Sequence, residues 1–199
     1  SMRNVEAVQR AARGHGLSKS YGNKKLFTDL DFSILKGENL AVTGPNGSGK
    51  TTLLKIILGE IKPDKGELVL GHKVKIGYFD QERKGLSQEK SILEEATSSD
   101  VSGDPVWTRT VLGSLMLRKD SVFKKIKDLS EGEKGKVLIA KLILSGANFL
   151  ILDEPTNHLD IDAREALENA LGNFPGSILF VTHDRYLIRK LADKVLVMG

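Results

Sequence analysis

The segment that most constrains this chain is the loop of residues 44–52, GPNGSGKTT, which fits the pattern G-x-x-x-x-G-K-[ST]. It follows a short apolar run and opens a helical run, which is the context in which the pattern is informative. Glycines let the backbone curl so that successive N–H groups converge on phosphate oxygens, and the start of the helix adds its positive end. Lys50 is placed to reach the β- and γ-phosphates, and the Thr51 hydroxyl to ligate Mg²⁺. The predicted phosphate-binding residues are Gly44, Asn46, Gly47, Ser48, Gly49, Lys50, Thr51 and Thr52.

A pair of carboxylates follows a second apolar run. Residues 149–152 read FLIL and are followed directly by Asp153 and Glu154. Because a buried strand delivers its ends to the same edge as the phosphate loop, we expect both side chains beside that loop. Asp153 is then predicted to hold the Mg²⁺ shell, mostly through water, and Glu154 to accept a proton from the attacking water or to orient it. Taken alone, the pair also fits a solvated acidic turn before Pro155.

The pattern of apolar residues predicts an α/β fold. Residues 40–42, 149–152 and 178–181 are continuously apolar, which is typical of strands buried on both faces of a parallel sheet. Residues 29–34 and 74–78 alternate apolar with polar positions, and we expect them in an antiparallel β layer. The sequence between the predicted strands at 74–78 and 149–152 predicts a small helical subdomain at about residues 86–145.

A polar segment near residue 130 allows two readings that are compatible with each other. Ser130 and Glu133 fit S-x-x-E, the sequence of a capping box, before a helical run closed by Gly146. A capped helix with a glycine in its first turn also presents free N–H groups, which is a second candidate anion site. The spacing leaves open which phosphate such a site would meet.

Composition excludes several classes of protein. The absence of cysteine rules out disulfide scaffolds, thiolate catalysis and cysteine-ligated zinc, and it fits a reducing cytoplasm. The net charge of +4 permits a polyanionic partner without requiring one. Two basic clusters fit either RNA contacts or solvated surface, namely Lys124, Lys125 and Lys127, and Arg3, Arg10 and Arg13. The histidines show no metal-ligand spacing, so no zinc site is predicted; they are His15, His72, His158 and His183.

Taken together, the motifs resemble those of an ATP-binding cassette (ABC) nucleotide-binding domain over residues 17–199. The resemblance is specific because the motifs occur in the family's order. They are Walker A at 44–52, the glutamine loop at 78–81, the signature at 129–133, Walker B at 149–154, the D-loop at 157–160 and the switch region at 181–184. The fold that this implies is a P-loop ATPase core with an antiparallel β layer and a helical subdomain.

The resemblance implies ATP and Mg²⁺ as ligands and assigns further roles. Tyr21 stands where the family places an aromatic ring that stacks on adenine. Gln81 couples the metal and the attacking water to the helical subdomain, and His183 senses the γ-phosphate. Two cassettes close head to tail, and Asp160 links the two sites across their interface. The signature of one cassette contacts the γ-phosphate held by the other, here through Ser130, Gly132 and Glu133.

The chain is more closely similar to the ABC-F branch, whose members are soluble twin-cassette proteins, many of which act on ribosomes. The similarity is carried by DEPTNHLD at residues 153–160 and by THDRY at residues 182–186. One departure is Glu131, which stands where the signature usually has its first glycine. Residues 1–13 are expected to be a lead-in, with residues 1–2 a cloning remnant, and residues 14–199 one cassette of a longer protein.

Three functions stay open at this point. The first is an ATPase domain of a cytoplasmic ABC-F protein that acts on the ribosome, with rRNA and tRNA as partners of the parent. The second is the ATPase subunit of a membrane transporter, with transmembrane subunits as partners. The third, suggested by Glu131, is a regulatory module that binds ATP without turnover. The resemblance implies a second cassette as a partner, either in the same polypeptide of the intact protein or in a homodimer.

Overall fold

The computed structural model describes residues 9–80 and 82–199. The described strands are, in chain order, β1 Arg10–Tyr21, β2 Lys24–Leu35, β3 Asn39–Thr43, β4 Lys65–Leu70, β5 Ile76–Phe79, β6 Phe149–Asp153, β7 Ser177–Val181 and β8 Lys194–Val197. The described helices are α1 Lys50–Ile57, α2 Ile92–Ser99, α3 Pro105–Ser114, α4 Glu131–Leu144, α5 Ile161–Gly172 and α6 Arg185–Leu191. Within this described part, each helix is too short or too polar to cross a lipid bilayer.

A five-stranded parallel sheet in the order β5-β6-β7-β3-β8 forms the centre of the molecule. Strands β6 and β7 are buried along their whole length, as expected for the continuous apolar runs 149–152 and 178–181 that they contain. The three apolar runs are therefore confirmed as neighbouring strands β6, β7 and β3. Because all of them run in the same direction, their carboxyl ends meet at one edge of the sheet.

A separate three-stranded antiparallel sheet has the order β2-β1-β4. The alternation in residues 29–34 is confirmed as part of β2, where Phe32 and Ile34 face the core. Strand β1 already begins at Arg10, so the last residues of the expected lead-in 1–13 belong to the fold. Residues 1–8 lie outside the described part.

The expectation for residues 74–78 was wrong in one respect. Strand β5 pairs in parallel with β6 and so belongs to the central sheet, not to the antiparallel layer. It lies at the edge of that sheet, where Ile76 and Tyr78 are half-buried while Gly77 and Phe79 are buried. The alternation arises because Gly77 packs closely on the buried face, where a Cβ on it would lie 2.9 Å from the Ala147 Cβ, while Ile76 and Tyr78 occupy the half-buried face.

The helices α2, α3 and α4 lie between β5 and β6 in the chain, where a helical subdomain is predicted. Two short 3₁₀ turns, Lys119–Phe123 and Ile126–Asp128, connect α3 to α4. Buried apolar side chains of these helices join those of the sheet in one core cluster. Helix α1 packs against a second cluster, shared with the antiparallel sheet. The signature helix α4 is thus held on the sheet by the same packing that forms the core.

Candidate functional site

The phosphate loop connects β3 to α1 and requires glycine at two positions. Gly44 has a φ of 152°, and a Cβ on it would lie 2.3 Å from the Met198 carbonyl oxygen. Gly49 has a φ of 94°, and a Cβ there would lie 2.8 Å from the Phe27 ring. A side chain at either position would move the backbone, so the loop path depends on these glycines.

Lys50 is the first residue of α1, and its side chain lies back across the loop. Its ammonium group donates to the carbonyl oxygens of Gly44 at 2.5 Å and Pro45 at 2.9 Å. Below the loop lies an open cleft of about 260 Å³. The cleft is lined by Leu26, Asn46, Gly47, Gly49, Lys50, Thr51, Thr52, Asp153, Glu154, Val181 and His183. The structure therefore brings the predicted loop residues and both carboxylates together.

Asp153 and Glu154 lie at the carboxyl end of β6 and are nearly buried, with exposures of 6% and 9%. Burial, together with the nearby Glu154 and Asp80 carboxylates, raises the pKa of Asp153 to about 6, although Lys50 opposes the rise. Burial also raises the pKa of Glu154, while the nearby His183 lowers it. Such pKa shifts toward neutrality are typical of carboxylates that exchange protons.

Glu154 is held in an unusual backbone conformation. Its φ is +48°, a region that residues other than glycine seldom adopt, and its N–H donates to the Val181 carbonyl oxygen at 2.9 Å. The His183 Nε2 lies 3.6 Å from the Glu154 Oε1. The turn after β6 therefore directs this carboxylate into the cleft next to the histidine.

The raised pKa of Asp153 makes a prediction about stability. Between the ordinary pKa of 3.8 and the folded pKa of about 6, the folded chain keeps a proton that the unfolded chain has lost. Stability therefore falls as the pH rises through this range, by on the order of 3 kcal/mol once the carboxyl is ionised. We expect Asp153→Asn to be more stable than the original chain above pH 6 in EDTA, with the gap closing toward pH 4.

Urea unfolding at several pH values measures this gap. Asp128→Asn, which changes an exposed aspartate, is the matched control and should show no such trend. A difference for Asp153→Asn that stays constant between pH 4 and 7 would contradict the prediction.

The signature turn forms the capping box that the sequence predicts. The Ser130 hydroxyl accepts from the Glu133 N–H at 3.2 Å, and the Glu133 carboxylate accepts from the Ser130 N–H at 3.3 Å. Glu131 is 61% exposed and lies 3.8 Å from the Lys134 ammonium group. Its carboxylate thus faces solvent and a cation.

The signature turn packs against the segment that leads into α5. Asp160 caps α5 by accepting from the Ala163 N–H at 2.8 Å. A Cβ on Gly132 would lie 2.9 Å from the Ala163 Cβ, so glycine is what permits this contact. The lining of the phosphate cleft includes neither Ser130 nor Gly132, both of which the structure describes. Within one chain the phosphate loop and the capped turn at Ser130 are thus separate.

Of two further predicted residues, Tyr21 is described by the structure and Gln81 is not. Tyr21 ends β1, is 51% exposed and pairs in register with Lys24, which approaches Gly47 of the loop. Gln81 lies outside the described residues, so its role stays a prediction. Sequence reasoning missed Leu26, which reaches the cleft from β2, because no local pattern links it to a loop twenty residues later.

The cleft suits a magnesium nucleotide. Mg²⁺ prefers oxygen ligands and usually binds through one or two carboxylates, with waters and substrate phosphates completing its shell. Thr51 offers a hydroxyl and Asp153 a carboxylate, which is such a donor set. Among residues 9–80 and 82–199, no group of three or more histidine, cysteine, aspartate or glutamate side chains forms a metal cage.

Comparison with known proteins supports the same reading. Residues 27–157 match the family described as ABC transporter. YdiF of Bacillus subtilis strain 168 is 46% identical over 188 residues, which is 94% of this chain and 29% of YdiF. The energy-dependent translational throttle protein EttA of Escherichia coli K12 is 40% identical over 90% of this chain and 33% of EttA. ABC transporter F family member 5 of Arabidopsis thaliana is 39% identical over 88% of this chain and 26% of that protein.

Solved structures agree on the fold. An ABC transporter in an inward-facing conformation is 27% identical, with a TM-score of 0.80 over 96% of this chain and 80% of that one. A dimeric ATP-binding cassette with bound ADP and Pi is 22% identical, with a TM-score of 0.77 over 94% of both chains. This chain spans about a third or less of the length of the curated relatives named above.

Proposed function

This chain is an ATPase domain of the ABC transporter family, and we propose that it binds MgATP and hydrolyses it as one half of a head-to-tail pair of cassettes. The observation that carries the proposal is the separation of the two phosphate-binding elements. One is the loop with Lys50 and the carboxylates, and the other is the capped turn at Ser130. A second cassette would bring its own capped turn to the nucleotide on this loop.

The residues of the cleft have separate proposed roles in the reaction. Lys50 and the loop N–H groups hold the phosphates, and Thr51 with Asp153 would hold Mg²⁺, which spreads the developing phosphate charge. Glu154 accepts the proton of the attacking water, and His183 lies next to it to fix its direction. Gln81 is proposed to complete the metal and water contacts, and Tyr21 to stack on adenine.

The partner cassette's half of each site is proposed to be Ser130, Gly132 and Glu133. Helix N-termini bind anions through free N–H groups and the helix dipole. The exposed position of Glu131, paired with Lys134, argues against a carboxylate that blocks this surface. Turnover is therefore favoured over a module that only binds ATP.

The test of the paired site is complementation between two inactive variants. Lys50→Ala disables the phosphate loop, while Ser130→Asp keeps a good N-cap residue but places a negative charge toward the partner's phosphate. Each variant alone is expected to be inactive. Their mixture should recover about a quarter of the original activity, because half of the pairs are mixed and each has one intact site.

Phosphate release measured over a range of protein concentrations completes this test. The specific activity of the original chain should rise with concentration, since the active form is a pair. Ser91→Asp, which alters the equivalent capping box on α2, is the matched control and should retain activity. A specific activity independent of concentration, together with a mixture as inactive as its parts, would contradict the paired site.

For the parent protein we propose a cytoplasmic ABC-F ATPase that acts on the ribosome. The support is the similarity to EttA, whose name describes a translational throttle, and to an F family member. The basic side chains Lys125 and Lys127 lie 3.7 and 3.4 Å from the Glu89 carboxylate, so part of their charge is balanced within the chain. Co-sedimentation of the parent protein with ribosomes is the expected result, and co-sedimentation with membranes would favour a transporter subunit.

A further inference from the structure

Arg83 is a buried cation close to the predicted site. It follows Gln81 by two residues, on the segment between β5 and α2, and is only 8% exposed. Its φ is +52°, a left-handed conformation that costs free energy for a residue with a side chain. A buried guanidinium in such a conformation persists only where its surroundings hold it.

The guanidinium contacts the backbone just beyond the catalytic carboxylates. Its Nη2 donates to the Asn157 carbonyl oxygen at 2.7 Å, and the Pro155 carbonyl oxygen lies 3.5 Å away. The Phe79 ring lies under the guanidinium, 5.4 Å from its centroid, so β5 supports the group from the other side. The side chain therefore connects β5 to the loop that follows Asp153 and Glu154.

The same side chain lies against the signature helix. A Cβ on Gly135 of α4 would lie 3.3 Å from the Arg83 Nε, so the glycine lets the helix approach this closely. Burial lowers the pKa of Arg83, and the Glu131 carboxylate on the first turn of α4 opposes this shift. The Leu159 side chain meets α4 on the same side, 3.7 Å from where a Cβ on Gly132 would be.

We infer that Arg83 is a positioning residue for the paired site, which fixes the loop of residues 155–160 against the first turns of α4. This inference rests on the proposed function, because Asp160 and Ser130 are the groups that would meet the partner cassette. Arg83 is not among the described residues that line the phosphate cleft. It acts on the geometry of the closed pair and not on the binding of nucleotide to one chain.

The variants Arg83→Met and Arg83→Lys separate positioning from binding. We expect both variants to bind MgATP within about twofold of the original affinity, whereas the kcat of the methionine variant should fall about tenfold or more, since small misplacements are costly in catalysis. The lysine variant keeps the positive charge but not the planar guanidinium with its paired N–H donors, and it should recover part of the lost kcat. Lys84→Met, which changes a 71% exposed neighbour, is the matched control with unchanged kcat.

Hydrogen exchange on the unliganded chain tests the contact without relying on turnover. Exchange at the backbone amides of residues 157–160 should be faster in Arg83→Met and partly slowed again in Arg83→Lys. Unchanged exchange, or a kcat equal to that of the original chain, would overturn the inference. A parallel fall in ATP affinity and melting temperature without rescue by lysine would also overturn it, since that marks a purely structural role. Failure of the proposed function is a different result, namely no concentration-dependent turnover by the original chain.

Discussion

Replacing Glu154 with glutamine is expected to lower ATP turnover by about 10²- to 10⁴-fold, the range for loss of a general base, while ATP binding is retained. Glutamine has nearly the same shape, but it cannot accept the proton of the attacking water. Neutralising this buried carboxylate also removes a charge that burial disfavours, so the variant should be at least as stable as the original. In the presence of MgATP, the variant should accumulate as a closed pair of chains.

Phosphate release and size-exclusion chromatography with light scattering measure the two effects. Glu165→Gln, at an exposed position of α5, is the matched control and should turn over ATP normally. If Glu154→Gln hydrolyses ATP at the original rate, Glu154 is not the general base, and His183 becomes the group to examine next.

Replacing Lys50 with alanine is expected to weaken ATP binding by about 100-fold or more, since contacts from a charged donor contribute roughly 1.5–3 kcal/mol each. The change removes the cation that faces the phosphates and also the two hydrogen bonds that brace the loop. Turnover should fall with binding. Calorimetric titration with MgATP measures the affinity directly.

Lys55→Ala provides the control for Lys50→Ala. Lys55 is an exposed lysine on the same helix, so both variants lose one positive charge from α1. Equal ATP affinities for the two variants would mean that long-range charge, and not the position of Lys50 in the loop, governs binding. A large loss in melting temperature for Lys50→Ala alone would assign the effect to bracing of the loop.

Local sequence signals predicted much of this site. The phosphate loop, the carboxylates after β6 and the capping box at Ser130 all depend on contacts within a few residues or at a strand end. Continuous apolar runs predicted the parallel strands β3, β6 and β7, because burial on both faces favours apolar residues at successive positions. These features follow from hydrogen bonding, turn geometry and burial patterns within a short segment of the chain.

Other features depend on partners far away in the sequence and could not be predicted from it. The place of β5 in the central sheet depends on its pairing with β6, some seventy residues later. The contact of Arg83 with the Asn157 carbonyl joins two loops that share no sequence pattern. The effect of Glu131 depended on where its side chain points, which the pairing with Lys134 now shows.

The geometry of the parallel sheet also determines where a fluorescent label can be attached. Its reactive groups all lie at one edge, while the junction of β2 and β3 lies at the opposite edge, with Lys36 exposed there. Since the chain contains no cysteine, Lys36→Cys would carry the sole thiol. A dye attached at that thiol would report association of two cassettes by energy transfer, at a distance from the chemistry it observes.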